Sequence, residues 1–257
     1  MDRKFEHSPL LQDQALSPEA LLWIAKIEES ALASGTTGYL KGGVLRDYFS
    51  NIYNGTTLNP KDLDVMLLGK VNLTASEMVK RGAEIQFRRN RRKTPVFELA
   101  LPANRGPIRA EIGIILANAL SYEREQSAQT LIVDDAKLSD FTVNTLLLPL
   151  GKTLDITNII DPLGGIKDIR DKKIRMVSPN TFVRNPECMI RAVRIADRIN
   201  ATIESETAEA IKYYAPYILK APQVVIDDNI KQIQLSSNRD KNIEMLNELN
   251  LLRYLHL

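Results

Sequence analysis

Between residues 38 and 150 the apolar positions fall in short runs, several alternating with the period of two that a half-buried strand requires. Val65-Met66-Leu67-Leu68 reads as a buried strand closed by Gly69. From Thr94 to Leu101, Phe97, Leu99 and Leu101 share a face. From Ile108 to Leu116, Ile108, Ala110, Ile112 and Ile114 share one face, with Arg109, Glu111 and Gly113 on the other. Asn104-Arg105-Gly106-Pro107 between these two strands predicts a hairpin turn, and Val143 to Leu148 is a further apolar run.

Helical spacing brackets this region. Ser17-Pro18-Glu19 has a hydroxyl cap, proline at the first helical position and an acid in the first turn. Leu21, Ile24, Ala25 and Leu32 then predict one apolar face, and Gly35 predicts the stop. Asp161-Pro162-Leu163-Gly164-Gly165 is a turn-rich connection. Helical patterns dominate from Pro186, with breaks near Pro216, Pro222 and Ser236-Ser237-Asn238. The expected organisation is α+β: a lead-in and helix over 1–35, a head with a small mixed sheet over 36–157, and an all-helical unit over 158–257.

Composition narrows the chemistry. The chain has 257 residues, 34 Lys and Arg against 32 Asp and Glu, and so a net charge of +2, which is neither a polycation nor an acidic tail. Its single cysteine, Cys188, excludes an internal disulfide and argues against a thiolate zinc site. His7 and His256 stand near opposite ends, which leaves little for a Ser-His-Asp centre. No apolar run approaches the roughly 18 residues of a membrane span, and residues 1–11 do not read as a signal peptide, so a cytoplasmic location is expected.

The carboxylates carry more information. Asp62 and Asp64 lead into the first clear strand, two apart and therefore on one side. Oxygen ligands so placed suit a hard divalent cation. If the strand holding Glu111 is a neighbour, three carboxylates meet, an arrangement fit for two Mg²⁺. Upstream, Lys41-Gly42-Gly43-Val44-Leu45-Arg46-Asp47 offers glycines that let backbone approach a phosphate, a helix N-terminus, and a cation in Arg46.

Taken together, these motifs resemble the head-domain signature of class II tRNA nucleotidyltransferases (CCA-adding enzymes) and bacterial poly(A) polymerases. That family reads Gly-Gly-x-Val-Arg-Asp and then Asp-x-Asp. Asp140-Phe141-Thr142-Val143-Asn144 is similar to its Arg-Arg-Asp-Phe-Thr-Ile-Asn motif. Residues 161–169 and Lys173-Ile174-Arg175 resemble its link to the neck, Pro186 to Ile195 its neck helix, and Asn238 to Leu257 its neck end. The resemblance covers about residues 36–257.

The resemblance implies a polymerase-β-like nucleotidyltransferase head and a helical neck. It implies Asp62 and Asp64 as Mg²⁺ ligands, with Glu111 as the third acid. It implies Gly42, Gly43, Arg46 and Asp47 as the triphosphate turn. Asp140, Asn144, Asn185, Arg191 and Arg194 are implied nucleotide contacts. The reaction implied is transfer of nucleotide, adenylate from ATP by expectation, to an RNA 3′ end, tRNA or another RNA, with release of pyrophosphate. Transfer to a non-RNA acceptor and a non-catalytic RNA- or nucleotide-binding module are the alternatives.

The chain departs from the pattern in two places. Leu138 and Ser139 replace the two arginines before Asp140. Asn185 and Cys188 replace the Asp and Arg that read the incoming base, and a thiol cannot imitate a guanidinium fork. Arg191 and Arg194 persist, with Arg198 on the same helix face. Arg191 also lies four residues after Glu187, so an ordinary surface ion pair is a competing reading. Arg88, Arg89, Arg91, Arg92 and Lys93 form a cationic run expected to meet RNA phosphates. The sequence ends where the resemblance places the neck end, so the expectation is that more chain or a partner subunit supplies the family's body and tail, or that the acceptor is smaller than tRNA.

Overall fold

The computed structural model describes residues 10–11, 16–59, 62–89, 95–101, 108–114 and 127–255. For Glu19, for Asp62 and for residues 86–89, 95–101 and 108–114 only the backbone is described. Contacts divide the chain into two units. One comprises 1–48, 57–135 and 145–162, and the other 49–56, 136–144 and 163–257.

In the first unit, helix α1 (Pro18–Ser34) starts and stops where its sequence directs. Ser17 Oγ accepts from the Ala20 N–H at 3.2 Å, and Gly35 closes the helix at φ 65°. The expected apolar face needs correction. Ala20, Trp23, Ile24, Ile27 and Ala31 are buried, whereas Ala25 is exposed and Leu32 is 70% exposed. Trp23 and Ile27 continue the Ala20–Ile24–Ala31 stripe, and the larger ring sets which side turns inward.

Six strands then build one sheet: β1 (Thr37–Lys41), β2 (Asp62–Leu68), β3 (Glu84–Arg89), β4 (Pro95–Leu101), β5 (Ile108–Ile114) and β6 (Leu147–Pro149). Their order is β3-β4-β5-β2-β1-β6. β2 and β5 run parallel and the other neighbours antiparallel, so the sheet is mixed. The β4–β5 pair is antiparallel, as a hairpin requires, while its turn at 102–107 lies outside the described residues. Helices α2 (Gly43–Asn54), α3 (Val71–Lys80) and α4 (Ala128–Lys137) complete the order through this region. Tyr39, Met66, Leu68 and Leu147 form a buried cluster with Ile132 of α4.

The second unit is helical apart from a two-residue parallel pair, β7 (Lys173–Ile174) with β8 (Thr202–Ile203). Its helices are α5 (Gly165–Arg170), α6 (Asn180–Arg184), α7 (Cys188–Arg198), α8 (Ser205–Tyr214), α9 (Gln223–Gln234) and α10 (Arg239–Glu248). The breaks at Pro216, Pro222 and Ser236–Asn238 fall just after α8, just before α9 and between α9 and α10. Helix α7 is the core of this unit: Cys188, Met189, Ile190, Ala192, Val193, Ile195 and Ala196 are all buried.

The units do not follow the chain as contiguous blocks. Residues 49–56 join the second unit, where Ser50 Oγ and Asn54 Nδ2 both donate to the Ile199 carbonyl, at 3.4 and 2.8 Å. Residues 136–144 join it as well, through Thr142, whose N–H donates to Arg175 O and whose hydroxyl donates to Asp168 Oδ2. No described helix is long and apolar enough to cross a membrane.

Candidate active site

In the first unit, strand register brings the predicted carboxylates into line. Parallel pairing sets Asp64 opposite Glu111 and Asp62 opposite Arg109. Antiparallel pairing sets Lys41 opposite Asp64, and Glu98 opposite Glu111. Registered partners share a face of a sheet. One row across four strands therefore reads Glu98, Glu111, Asp64, Lys41, with Asp62 one step up the same face of β2. The condition set by the sequence, that the Glu111 strand neighbour the Asp62–Asp64 strand, is met.

The same face turns apolar toward the other end of β2, where Met66 and Leu68 are buried under Ile132. Polar and apolar ends of one face thus divide its work between chemistry and packing. Asp64 is half-buried. The side chains of Asp62 and Glu111 lie outside the described residues. Among the described residues no group of three His, Cys, Asp or Glu side chains converges as metal ligands. The donor set offered by register is all carboxylate, which fits a hard divalent cation.

Lys41 was not singled out by motif reading. Its ammonium forms an ion pair with Asp135 of α4, and the two side chains are 20% and 7% exposed. A lysine closing an otherwise apolar strand, beside the position of a carboxylate, was the available signal.

The glycine turn stands at the end of β1. Gly42 adopts φ 71°, donates its N–H to Leu146 O at 3.1 Å and accepts from the Arg46 N–H at 3.0 Å. That last bond opens α2, whose first N–H groups lack intrahelical acceptors. Arg46 Nε and Nη2 donate to Asp47 Oδ1 at 3.0 and 2.7 Å. The guanidinium lies back over the turn: a Cβ on Gly43 would stand 3.5 Å from Arg46 Nη2. Of this motif, Asp47 is buried and engaged by Arg46, so it orients the arginine.

The second unit carries the other predicted contacts. Asp140 Oδ1 accepts from the Phe141 N–H and from Asn144 Nδ2, both at 2.8 Å. Asp140 Oδ2 accepts from Arg191 Nη1 at 2.8 Å, and the Cys188 Sγ lies 3.8 Å from that oxygen. Burial alone would push the Asp140 carboxyl up. The Arg191 charge, the Asn144 amide and the Phe141 N–H outweigh it and hold the carboxyl below the ordinary range. For Arg191, burial opposes the charge and the Asp140 carboxylate more than restores it.

The reading of Arg191 as one partner of a solvated surface pair is corrected: Glu187 is 3% exposed and adds to the negative charge around Arg191, while Asp140 accepts the hydrogen bond at 2.8 Å. Arg194 Nη1 donates to Gln232 Oε1 of α9 at 2.6 Å. Asn185 is half-buried after α6; its N–H donates to Thr181 O, and its carbonyl accepts from the Cys188 N–H. Arg88 and Arg89 are on β3 by backbone alone, and Arg91, Arg92 and Lys93 lie outside the described residues.

A mixed sheet with carboxylates in adjacent register, a glycine turn opening a helix, and a helical unit after it define a nucleotidyltransferase head. Comparison with known proteins agrees: residues 38–175 match the poly A polymerase head domain, more than half of the chain. The chain belongs to that family of nucleotidyltransferases.

Among curated relatives, an A-adding tRNA nucleotidyltransferase of Halalkalibacterium halodurans is 25% identical over 82% of this chain and 47% of its own length. A poly(A) polymerase I of Salmonella typhi is 28% identical over 85% of this chain and 46% of its own. The chain thus spans about half the length of these two relatives. Among solved structures, a Thermotoga maritima CCA-adding enzyme complexed with tRNA matches with a TM-score of 0.74 at 21% identity, covering 95% of this chain and 54% of that one. A CCA-adding enzyme with ATP matches at 0.73 and 21%, covering 95% and 55%. These structures share the fold.

Proposed function

We propose that the chain transfers a nucleotide, adenylate from ATP, to the 3′ end of an RNA, tRNA or another, and releases pyrophosphate. The observation that carries this reading is the register of β2 and β5, which sets Asp64 beside Glu111 with Asp62 two residues away. Asp62, Asp64 and Glu111 are the residues that would hold Mg²⁺, which when bound activates an attacking hydroxyl and neutralises charge at the leaving oxygen. The chain's own groups do the positioning. The Gly42-Gly43 turn and the α2 N-terminus receive the triphosphate, and Arg46, held over the turn by Asp47, adds charge to it. Asn144 and Arg191, fixed by Asp140, and Arg194 on the same face of α7 address the nucleotide. Attack of the RNA 3′-hydroxyl on the α-phosphate needs no covalent enzyme intermediate, so orientation and charge neutralisation carry the rate.

Adenylate is supported by the relatives named A-adding enzyme and poly(A) polymerase. A single kind of addition, instead of alternating C and A, is supported by Cys188: it is 1% exposed and packed against Asp140, where the resemblance puts a base-reading arginine. Labelled ATP, CTP, GTP and UTP, each offered with Mg²⁺, total RNA, tRNA lacking its CCA end and an RNA-free lysate, test the reading. Label entering RNA from ATP with the native chain, and not with Asp64→Ala, is the expected result. Label in protein or small molecules assigns a different acceptor. No label in any fraction despite triphosphate binding assigns a non-catalytic module.

A further inference from the structure

Four of the chain's eight tyrosines fall between residues 213 and 254, all in the second unit. Three of them line up at the end of α8. Tyr213 meets Tyr214 edge to face with ring centroids 4.9 Å apart, and Tyr214 meets Tyr217 likewise at 5.7 Å. Such contacts hold rings in fixed orientations without covering both faces. Tyr213 is 78% exposed, a large apolar ring left in water.

Cations stand on two of the four rings, Tyr217 of this cluster and Tyr254. Lys220 Nζ lies 4.0 Å from the Tyr217 ring centroid, and the Arg253 guanidinium lies 5.0 Å from that of Tyr254. The short 3-10 helices that carry them, Ala215–Lys220 and Leu252–Tyr254, pack together. Both cations are exposed, and among the described residues neither forms an ion pair. There is no Asp or Glu from residue 210 to 226, nor from 249 to 257. Along these two stretches no acid accompanies the cations, and each cation is mounted on an aromatic face.

We infer that this surface binds single-stranded RNA, with a base stacking on Tyr213 and phosphates meeting Lys220 and Arg253. A single strand of nucleic acid alternates flat π-surfaces with negative charge at the spacing of one nucleotide, the two features this surface is built to meet. Charge complementarity separates this occupant from an apolar one: a purely hydrophobic partner would bury two cations that have no carboxylate to meet. The inference deepens the proposed function, on which it rests for the choice of RNA, by naming where the acceptor strand is held.

The test is equilibrium binding of the full chain to a fluorescein-labelled 12-nucleotide oligoadenylate, by anisotropy, in EDTA and without triphosphate. Tyr213→Ala weakens binding about 5- to 100-fold, the range for losing one stacked base, and Tyr213→Trp retains it. The Lys220→Ala/Arg253→Ala double variant weakens binding and lowers the slope of log affinity against log salt by about 1.4, two phosphate contacts at about 0.7 each. A duplex of the same length binds more weakly and is indifferent to Tyr213. Tyr213 is so exposed that its replacement leaves the melting temperature unchanged. Absence of binding by the native chain overturns the inference. Unchanged affinity of the tyrosine and double variants overturns it too, and so does a preference for duplex. Since the assay contains no metal or triphosphate and reads binding alone, it stands or falls separately from the transfer activity.

Discussion

Asp140 and Arg191, 51 residues apart in the chain, share a hydrogen bond of 2.8 Å that fastens the Asp-Phe-Thr segment to helix α7. The other Asp140 oxygen is filled by its own neighbours, Phe141 and Asn144. Replacing Asp140 with Ala strips three donors of their acceptor while Arg191 keeps its charge. Since the Arg191 side chain is about one-third exposed, water recovers part of the loss, and a destabilisation of about 3 kcal/mol is expected in urea unfolding.

The same carboxylate predicts a pH dependence. Its folded pKa is depressed below the unfolded value of about 3.9. The stabilisation is therefore complete above that value and is lost as pH falls through the folded pKa. Unfolding free energy measured from pH 7 downward should decline more steeply below about pH 4 in the native chain than in Asp140→Asn, which has no proton to take up at this site.

Lys41 and Asp135 form a pair bridging 94 residues, and Asp135 is 7% exposed. Lys41→Met leaves that carboxylate without its ammonium and is expected to cost about 3 kcal/mol. The double variant Lys41→Met/Asp135→Asn should be more stable than the single one. Additive losses in that double-mutant cycle would show that the pair carries no coupling.

Gly42 holds φ 71° at the turn between β1 and α2. An alanine there is strained by about 1–2 kcal/mol and tilts the first N–H groups of α2, to which the proposed function gives the triphosphate. Gly42→Ala should lower the melting temperature by several degrees and weaken ATP binding in a calorimetric titration. Gly151→Ala, which has no left-handed angle to keep, should do neither.

At the ends of α1 the expected losses are smaller. Ser17→Ala removes one cap bond and Gly35→Ala forces a side chain into the left-handed region, each costing about 1 kcal/mol. Thermal unfolding should register each as a drop of about 2–4 °C.

Much of this protein is determined within a few residues. Ser17 and Gly35 fix where α1 begins and ends because capping is a contact across three or four positions. Asp62 and Asp64 share a face because a strand alternates. Met189, Val193 and Ala196 face inward because a helix repeats every 3.6 residues. Helical spacing alone left Leu32 on the apolar face, though, and it is exposed, since which stripe of α1 is buried depends on Trp23 and on what packs against it.

The site itself needed the tertiary structure. No local rule states that β5 lies beside β2, 47 residues upstream of it, or that Asp64 is in register with Glu111 there and not with Arg109. A shift of one residue would turn every side chain of the strand to the other face, so register is settled by burying Met66 and Leu68 against Ile132. The partners of Lys41 and Arg191 were hidden for the same reason. A charge leaves no trace in the sequence of which distant opposite charge will neutralise it; only the close packing of the folded chain, where an unpaired charge is costly, makes that choice.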